Sequence, residues 1–138
     1  EVAHGRHLVA TIRPEAPIQL LLTGHMDTVF AVDHPFQDLR WLDEGVLNGP
    51  GVADMKGGIA VMLAALSAAE SVPEFHRVGY QVMINSDEET GSASSAELIK
   101  KLALGGVVRA YDPVRNGDTL VEIVSPVFFD PEGERLRV

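Results

Sequence analysis

Side chains capable of acid–base or metal chemistry occur at four points of this sequence, each beside an apolar stretch. They are His25 with Asp27, Asp54, the pair Glu88 and Glu89, and Asp112. If brought together, these five carboxylates and one imidazole could not all stay ionised, because each like charge raises its neighbours' pKa values. Lys56 is the only basic residue within these segments, so a divalent cation is the natural compensating charge. One His with several carboxylates suits Zn²⁺, with Mn²⁺ or Co²⁺ as alternatives, and two ions sharing a carboxylate would neutralise the set better than one.

Each motif also has an ordinary structural explanation when it is considered alone. The segment 25–27 is more often a turn with a satisfied His than a metal site. Asp54 precedes a predicted helix and would be an ordinary N-cap. Glu88 with Glu89 would be an acidic loop, and Asp112 before Pro113 is a common turn opening. Only their joint placement in successive loops favours a shared site.

The elements that must position these residues are typical of an α/β fold. Their order predicts a mostly parallel sheet with helices on both faces. The carboxyl ends of parallel strands share one edge, which would bring the polar loops together. The predicted strands are 7–13, 18–22, 79–85 and 119–124. The first two are predicted to be neighbours, with the second buried. An irregular hairpin is predicted within 30–50, and helices are predicted at 57–70, which would be buried, and at 94–104.

Composition limits the class of protein. The chain has 138 residues, a formal charge of −9, 46% hydrophobic residues and no Cys. This length fits one domain, and the negative charge argues against nucleic acid or an anionic membrane as a partner. Without Cys, any metal must be held by His and carboxylate. The absence of a long apolar run and of an export signal predicts a soluble, cytoplasmic protein.

Three strings carry a family resemblance: residues 21–29 (LLTGHMDTV), 48–58 (NGPGVADMKGG) and 85–92 (NSDEETGS). In this order and at these spacings they resemble the M20 family of zinc metallopeptidases and amidohydrolases. That family includes glutamate carboxypeptidase, acetylornithine deacetylase, succinyl-diaminopimelate desuccinylase and aminoacylase, and the first of these branches looks nearest. The resemblance implies that residues 1–124 form the N-terminal part of a dizinc catalytic domain, and it leaves residues 125–138 unassigned.

The resemblance also implies a metal-ligand set. His25 would ligate one zinc ion, Asp54 would bridge both ions, and Glu89 would ligate the other. Asp112 matches a further acidic ligand that the family places ahead of a short strand. For Asp112 the alternative of a simple Asp-Pro turn stays open.

Two residues would be catalytic if the resemblance holds. Glu88 would take a proton from a metal-bridging water and return it to the leaving amine. Asp27 would fix the His25 ring through its other nitrogen and raise its basicity. In relatives the peptide after the bridging Asp is typically cis, so we predict a cis bond between Asp54 and Met55.

The implied function is hydrolysis of an amide bond in a small N-acyl amino acid or a dipeptide-like substrate. Family members also carry a smaller lid domain, through which the complete protein could form a homodimer. No segment of this chain matches that lid, and no His follows His76 to complete the second zinc site. We expect the chain to be a piece of a longer enzyme rather than a shortened gene product, since the other ligands are retained. Alone, these residues would hold one ion well, a second poorly, and have doubtful activity.

Two other functions remain open at this point. One is a truncated, non-catalytic metal-binding domain of M20 type, which the missing distal His favours. The other is an oxygen-rich Mg²⁺ or Ca²⁺ site for phosphate chemistry. His25 and the lack of a Gly-rich phosphate-binding loop make that second alternative the weaker one.

Overall fold

The computed structural model describes residues 5–103, 107–112 and 117–122. Contacts divide the chain into two compact units, Glu1–Ala96 and Glu97–Val138, which are described separately. The elements are β1 (Leu8–Ile12), β2 (Ile18–His25), β3 (Arg40–Asp43), β4 (Val46–Asn48), α1 (Gly57–Glu70), β5 (Val78–Asn85), α2 (Ala96–Ala103), β6 (Val107–Asp112) and β7 (Gly117–Glu122).

The first unit contains a three-stranded sheet in the order β1-β5-β2. β2 and β5 are parallel, in register from Ile18 opposite Val78 to His25 opposite Asn85. β1 is antiparallel to β5, with Leu8 opposite Ile84. The described sheet is therefore mixed, which agrees with an α/β fold and leaves the mostly parallel arrangement unconfirmed.

The prediction that β1 and β2 are neighbours is wrong, because β5 lies between them. The connection 13–17 is too short for the crossover that a parallel pair needs, so it reverses the chain direction. The side-chain amide of Gln19 braces this connection by donating to the carbonyl oxygens of Arg13 (3.1 Å), Pro14 (3.2 Å) and Ala16 (2.8 Å). The long segment between β2 and β5 supplies the crossover that makes those two strands parallel.

The core lies along β5, the central strand. Tyr80, Val82 and Met83 are its buried apolar residues, with Met83 only 1% exposed. By contrast, the prediction that the second strand, 18–22, is buried is wrong for the described chain, because these residues are exposed or half-buried. Burial begins further along β2, at Gly24 and His25.

Helix α1 has the bounds that the sequence predicts, since it begins at the paired glycines and ends ahead of Pro73. The prediction that it is buried is wrong for the described chain, because none of its residues is buried and Val61 is 70% exposed. The helix is apolar on most faces, and a single sheet can cover only one of them. Ile59 is on the covered face, close to Gly24 of β2.

The helical stretch Val52–Glu70 has 19 residues and a mean hydropathy of 1.5, which would suffice for a membrane span by length and composition alone. Helices in the cores of soluble proteins meet the same criteria. The backbone is non-helical at Asp54 and Met55. The regular part, α1, has 14 residues, fewer than the roughly 20 that a span needs.

Two hairpins complete the described structure. β3 and β4 pair around Gly45, which has φ 78, and this confirms the irregular hairpin predicted within 30–50. In the second unit, β6 and β7 form an antiparallel hairpin with Val107 opposite Glu122. The strand predicted at 119–124 thus begins earlier, at Gly117. The unassigned segment 125–138 lies outside the described residues.

Candidate metal centre

The centre lies where β2 and β5 end. His25 is the last residue of β2 and is paired with Asn85, the last residue of β5. Met26 continues the ladder by donating its N–H to the Asn85 carbonyl at 2.8 Å. Because the two strands are parallel, both end at the same edge of the sheet, which is where open α/β sheets place functional groups. Asp27 and the pair Glu88–Glu89 follow directly.

His25 lies between two carboxylates. Its Nε2 is 3.0 Å from Oδ1 of Asp54, and its Nδ1 is 3.4 Å from Oδ1 of Asp27. The other oxygen of Asp27 accepts the backbone N–H of Glu89 at 3.0 Å. Asp27 therefore connects the loop after β2 to the loop after β5, and it does so beside the imidazole.

The local charge favours a cation at His25. Burial by itself would lower the pKa of His25, but the hydrogen bond to Asp54 and the charges of Glu88, Asp27 and Asp54 outweigh it and raise that pKa. A proton and a metal ion compete for the same ring nitrogen. The carboxylates that stabilise the protonated ring would equally stabilise a bound divalent cation.

The residues present fit a divalent metal ion. Nδ1 of His25 and Oδ1 of Asp27 are buried and face each other at 3.4 Å, which leaves Nε2 as the ring nitrogen for an ion. In addition, ligand atoms of His25, Glu88 and Glu89 lie within 4.8 Å of one another. Imidazole with carboxylates is a donor set typical of Zn²⁺ and similar ions.

Asp54 belongs to this centre and does not cap the helix. α1 begins at Gly57 without a side-chain cap, and the Asp54 carboxylate, 77% exposed, bonds His25. The peptide between Asp54 and Met55 is cis, as predicted. Asp112 is the last residue of β6, opposite Gly117, in the second unit, and its role stays a prediction.

The structure brings five of the six predicted residues to one place and reveals one that sequence reasoning passed over. Asp87, inside the third string, is fully buried. The signal was available in the sequence, since a run of serines follows it at 92, 94 and 95 and can supply hydroxyl donors. Lys56, the only basic residue in the loops, donates to the Met26 carbonyl at 3.0 Å.

A cavity of about 640 Å³ lies beside the centre. Met26, Thr28 and Thr90, which the sequence places near the site, line it together with Asp27 and Lys56. Pockets of roughly 300–1,000 Å³ are typical of small-molecule sites. The cavity therefore has room for a ligand of amino-acid or dipeptide size next to the cluster of His25 and the acidic residues.

A family match decides the assignment of the chain. Residues 21–126 match the model of Peptidase family M20/M25/M40. The chain belongs to this family. The resemblance inferred from the three strings is thereby confirmed, together with its association with hydrolases, metallopeptidases, carboxypeptidases and deacetylases.

Several M20 relatives are similar in sequence. Carboxypeptidase G2 of Pseudomonas sp. (strain RS-16) is 34% identical over 83% of this chain and 28% of its own length. Succinyl-diaminopimelate desuccinylase of Methylococcus capsulatus is 33% identical over 91% and 32%. Acetylornithine deacetylase of Salmonella typhimurium is 39% identical over 62% and 22%. The chain thus spans about a third or less of these curated relatives, and no solved structure matches it significantly.

Proposed function

We propose that this chain is part of the catalytic domain of a metal-dependent hydrolase that cleaves an amide bond. The observation that carries the proposal is the clustering of ligand atoms from His25, Glu88 and Glu89 within 4.8 Å in a member of the M20 family. The names of the relatives, a carboxypeptidase, a desuccinylase and a deacetylase, support a small N-acyl amino acid or dipeptide-like substrate. Cytoplasmic location and a homodimer of the complete protein remain predictions.

His25, Asp54 and Glu89 would hold the metal, with Asp112 as a further ligand and Zn²⁺ as the favoured ion. The 3.0 Å contact from Asp54 to Nε2 of His25 supports this assignment, because it puts a carboxylate at the nitrogen that would bind the ion. Asp27 lies at the other ring nitrogen, where a carboxylate can fix the tautomer of a metal-binding imidazole. When bound, a divalent ion polarises a carbonyl and lowers the pKa of water.

Glu88 is the proposed general base and acid. Its carboxylate lies within 4.8 Å of the imidazole of His25 and the carboxylate of Glu89, where it can take a proton from the attacking water and give that proton to the leaving amine. Lys56 lines the adjoining cavity and places a positive charge beside the substrate space.

Replacing Glu88 with Ala tests the proposal. We expect the complete protein to keep its metal content and to lose about 10²- to 10⁴-fold in turnover, the range typical of a general base. The measurement combines elemental analysis of the metal with hydrolysis of N-acyl amino acids and dipeptides, and Glu70→Gln, remote from the centre, is the matched control. Wild-type turnover with metal bound would contradict the role of Glu88, and a parallel loss of metal would make it a ligand.

The number of ions bound by the complete protein separates this proposal from its main alternative. Two tightly bound ions in the complete protein support the hydrolase. One ion or none would favour a non-catalytic metal-binding domain of the same family.

A further inference from the structure

Asp87 is a buried carboxylate next to the Glu pair, and both of its oxygens accept hydrogen bonds. Oδ2 accepts the backbone N–H of Ser94 (2.7 Å), the hydroxyl of Ser94 (2.7 Å) and the backbone N–H of Ser95 (3.0 Å). Oδ1 accepts the side-chain amide of Asn85 at 3.2 Å. All of these groups are donors, so the Asp87 carboxylate is the acceptor shared by Asn85, Ser94 and Ser95.

The backbone carbonyl of Asp87 closes the turn that carries the Glu pair. It accepts the N–H of Ser92 at 2.7 Å and the N–H of Thr90 at 3.3 Å. It also accepts the Thr90 hydroxyl at 3.1 Å. The helical turn Glu88–Thr90 is thus bonded at its far end to the residue that precedes it.

This turn determines whether the two Glu side chains can share one site. Adjacent residues of a regular strand point to opposite faces of a sheet. Glu88 and Glu89 approach the same imidazole because the strand has ended at Asn85 and the chain has turned. Asp27 holds the turn through the N–H of Glu89. The Asp87 carboxylate holds the loop that carries the turn, because it bonds Asn85 before the loop and Ser94 and Ser95 after it.

Ser94 takes part in this support and is not an activated nucleophile. The Ser94 hydroxyl donates to the Asp87 carboxylate, and Nε2 of His7 lies 3.1 Å from the same Ser94 oxygen. The proton of this hydroxyl is therefore directed at a carboxylate and not at the imidazole, which is the usual base of a serine nucleophile.

We propose that Asp87 is a positioning residue, whose buried carboxylate joins the two ends of the loop 86–93 and so presents Glu88 and Glu89 to the metal. The inference rests on the proposed function. It follows that metal affinity depends on Asp87 although Asp87 is not a ligand. Groups that orient metal ligands typically contribute 10- to 100-fold to metal affinity.

The test compares Asp87→Asn with Glu70→Gln in the full chain. Asp87→Asn keeps the shape of the side chain but turns an acceptor into an NH₂ group that faces donors. Calorimetric titration with Zn²⁺ should show affinity at least about 10-fold weaker than wild type. The absorption spectrum of bound Co²⁺ should also change, because the ligand geometry is altered. Glu70→Gln removes an equivalent charge at the other end of the sheet and should change neither readout.

Ser94→Ala is the second variant, in case Asp87→Asn fails to fold. It removes one donor to Asp87, and we expect a few-fold loss of Zn²⁺ affinity with an unchanged circular dichroism spectrum. Wild-type affinity and Co²⁺ spectrum in a folded Asp87→Asn protein, or in Ser94→Ala if the first is unfolded, would overturn the inference alone. A wild-type chain that binds no Zn²⁺ would overturn the proposed function and the inference with it.

Discussion

The β1-β5-β2 sheet has one edge where β5 begins and another where β5 ends, and the charged side chains at these two edges are paired differently. At the edge where β5 begins lies the Arg13 cluster, made of Arg13, Glu70, Phe75 and Tyr80. Nη1 of Arg13 donates to Glu70 at 3.0 Å, a second bond joins Nη2 to the same carboxylate, and Nε donates to the Val78 carbonyl at 2.8 Å. The guanidinium carbon is also 5.7 and 5.6 Å from the ring centroids of Phe75 and Tyr80.

At the other edge, where β5 ends, the acidic residues gather without a matching basic side chain among the described residues. Lys56 donates to the backbone carbonyl of Met26. The Arg13 cluster pairs its charges with one another, whereas the described part of the metal centre keeps an excess of negative charge that a bound cation would offset. This difference separates stability from function, since violations of local pairing in a folded protein concentrate at functional sites.

The largest expected effect is on metal affinity, from His25→Ala. Removal of a ligand should weaken Zn²⁺ binding by more than about 100-fold, the upper range for groups that only orient ligands. Arg13→Met, at the opposite edge, should lower the urea midpoint and leave the affinity unchanged. Calorimetric titration of both variants checks this prediction. A similar loss of affinity in both would mean that the two edges do not have separate roles.

Glycines at the two edges give the next effect, which is on stability. A Cβ on Gly79 would collide with the backbone oxygen of Arg13, whereas one on Gly24 would lie 3.1 Å from the flexible end of Met55. The backbone has to move in the first case and only a side chain in the second. Gly79→Ala should therefore destabilise by roughly 1–3 kcal/mol and Gly24→Ala by less. Urea unfolding of the metal-free chain measures both, and equal losses would refute this explanation.

The metal centre was predictable from sequence to the extent that its signals are local. His25 with Asp27, and Glu88 with Glu89, each sit within a few residues of a strand end, so the motif and the strand pattern point to the same place. The bounds of α1 follow from its paired glycines and from Pro73 in the same way. Asp54 alone also fits an N-cap, and only the contact with His25 distinguishes the two functions.

Features that depend on distant pairing were not predictable. Arg13 and Glu70 are 57 positions apart, and neither residue carries a local signal for the other. Strand order depends on which side of β5 each neighbouring strand lies, and the alternation of side chains along a strand is the same for either side. The exposure of α1 depends on what covers it, and its composition reports only that it is apolar.

The smallest expected effect is the pH dependence of the Arg13 cluster. Arg13, by its hydrogen bond and its charge, lowers the pKa of Glu70 below the ordinary value of 4.5. A lowered folded-state pKa contributes stability above the unfolded value, and that contribution is lost as pH falls through the folded value. The difference in urea midpoint between wild type and Glu70→Gln should therefore be constant near pH 7 and shrink below about pH 4.5.

This pH effect should be small because the side chains of Arg13 and Glu70 remain 28% and 33% exposed, and it should diminish further at high salt. Asp87 also has a lowered pKa, but it is present in both proteins, so its titration cancels in the difference. The same difference measured near pH 7 with and without Zn²⁺ should be equal if the two edges are independent. A midpoint difference that does not change between pH 7 and pH 3 would show that Glu70 contributes by packing, and that the Arg13 cluster is not held by its charges.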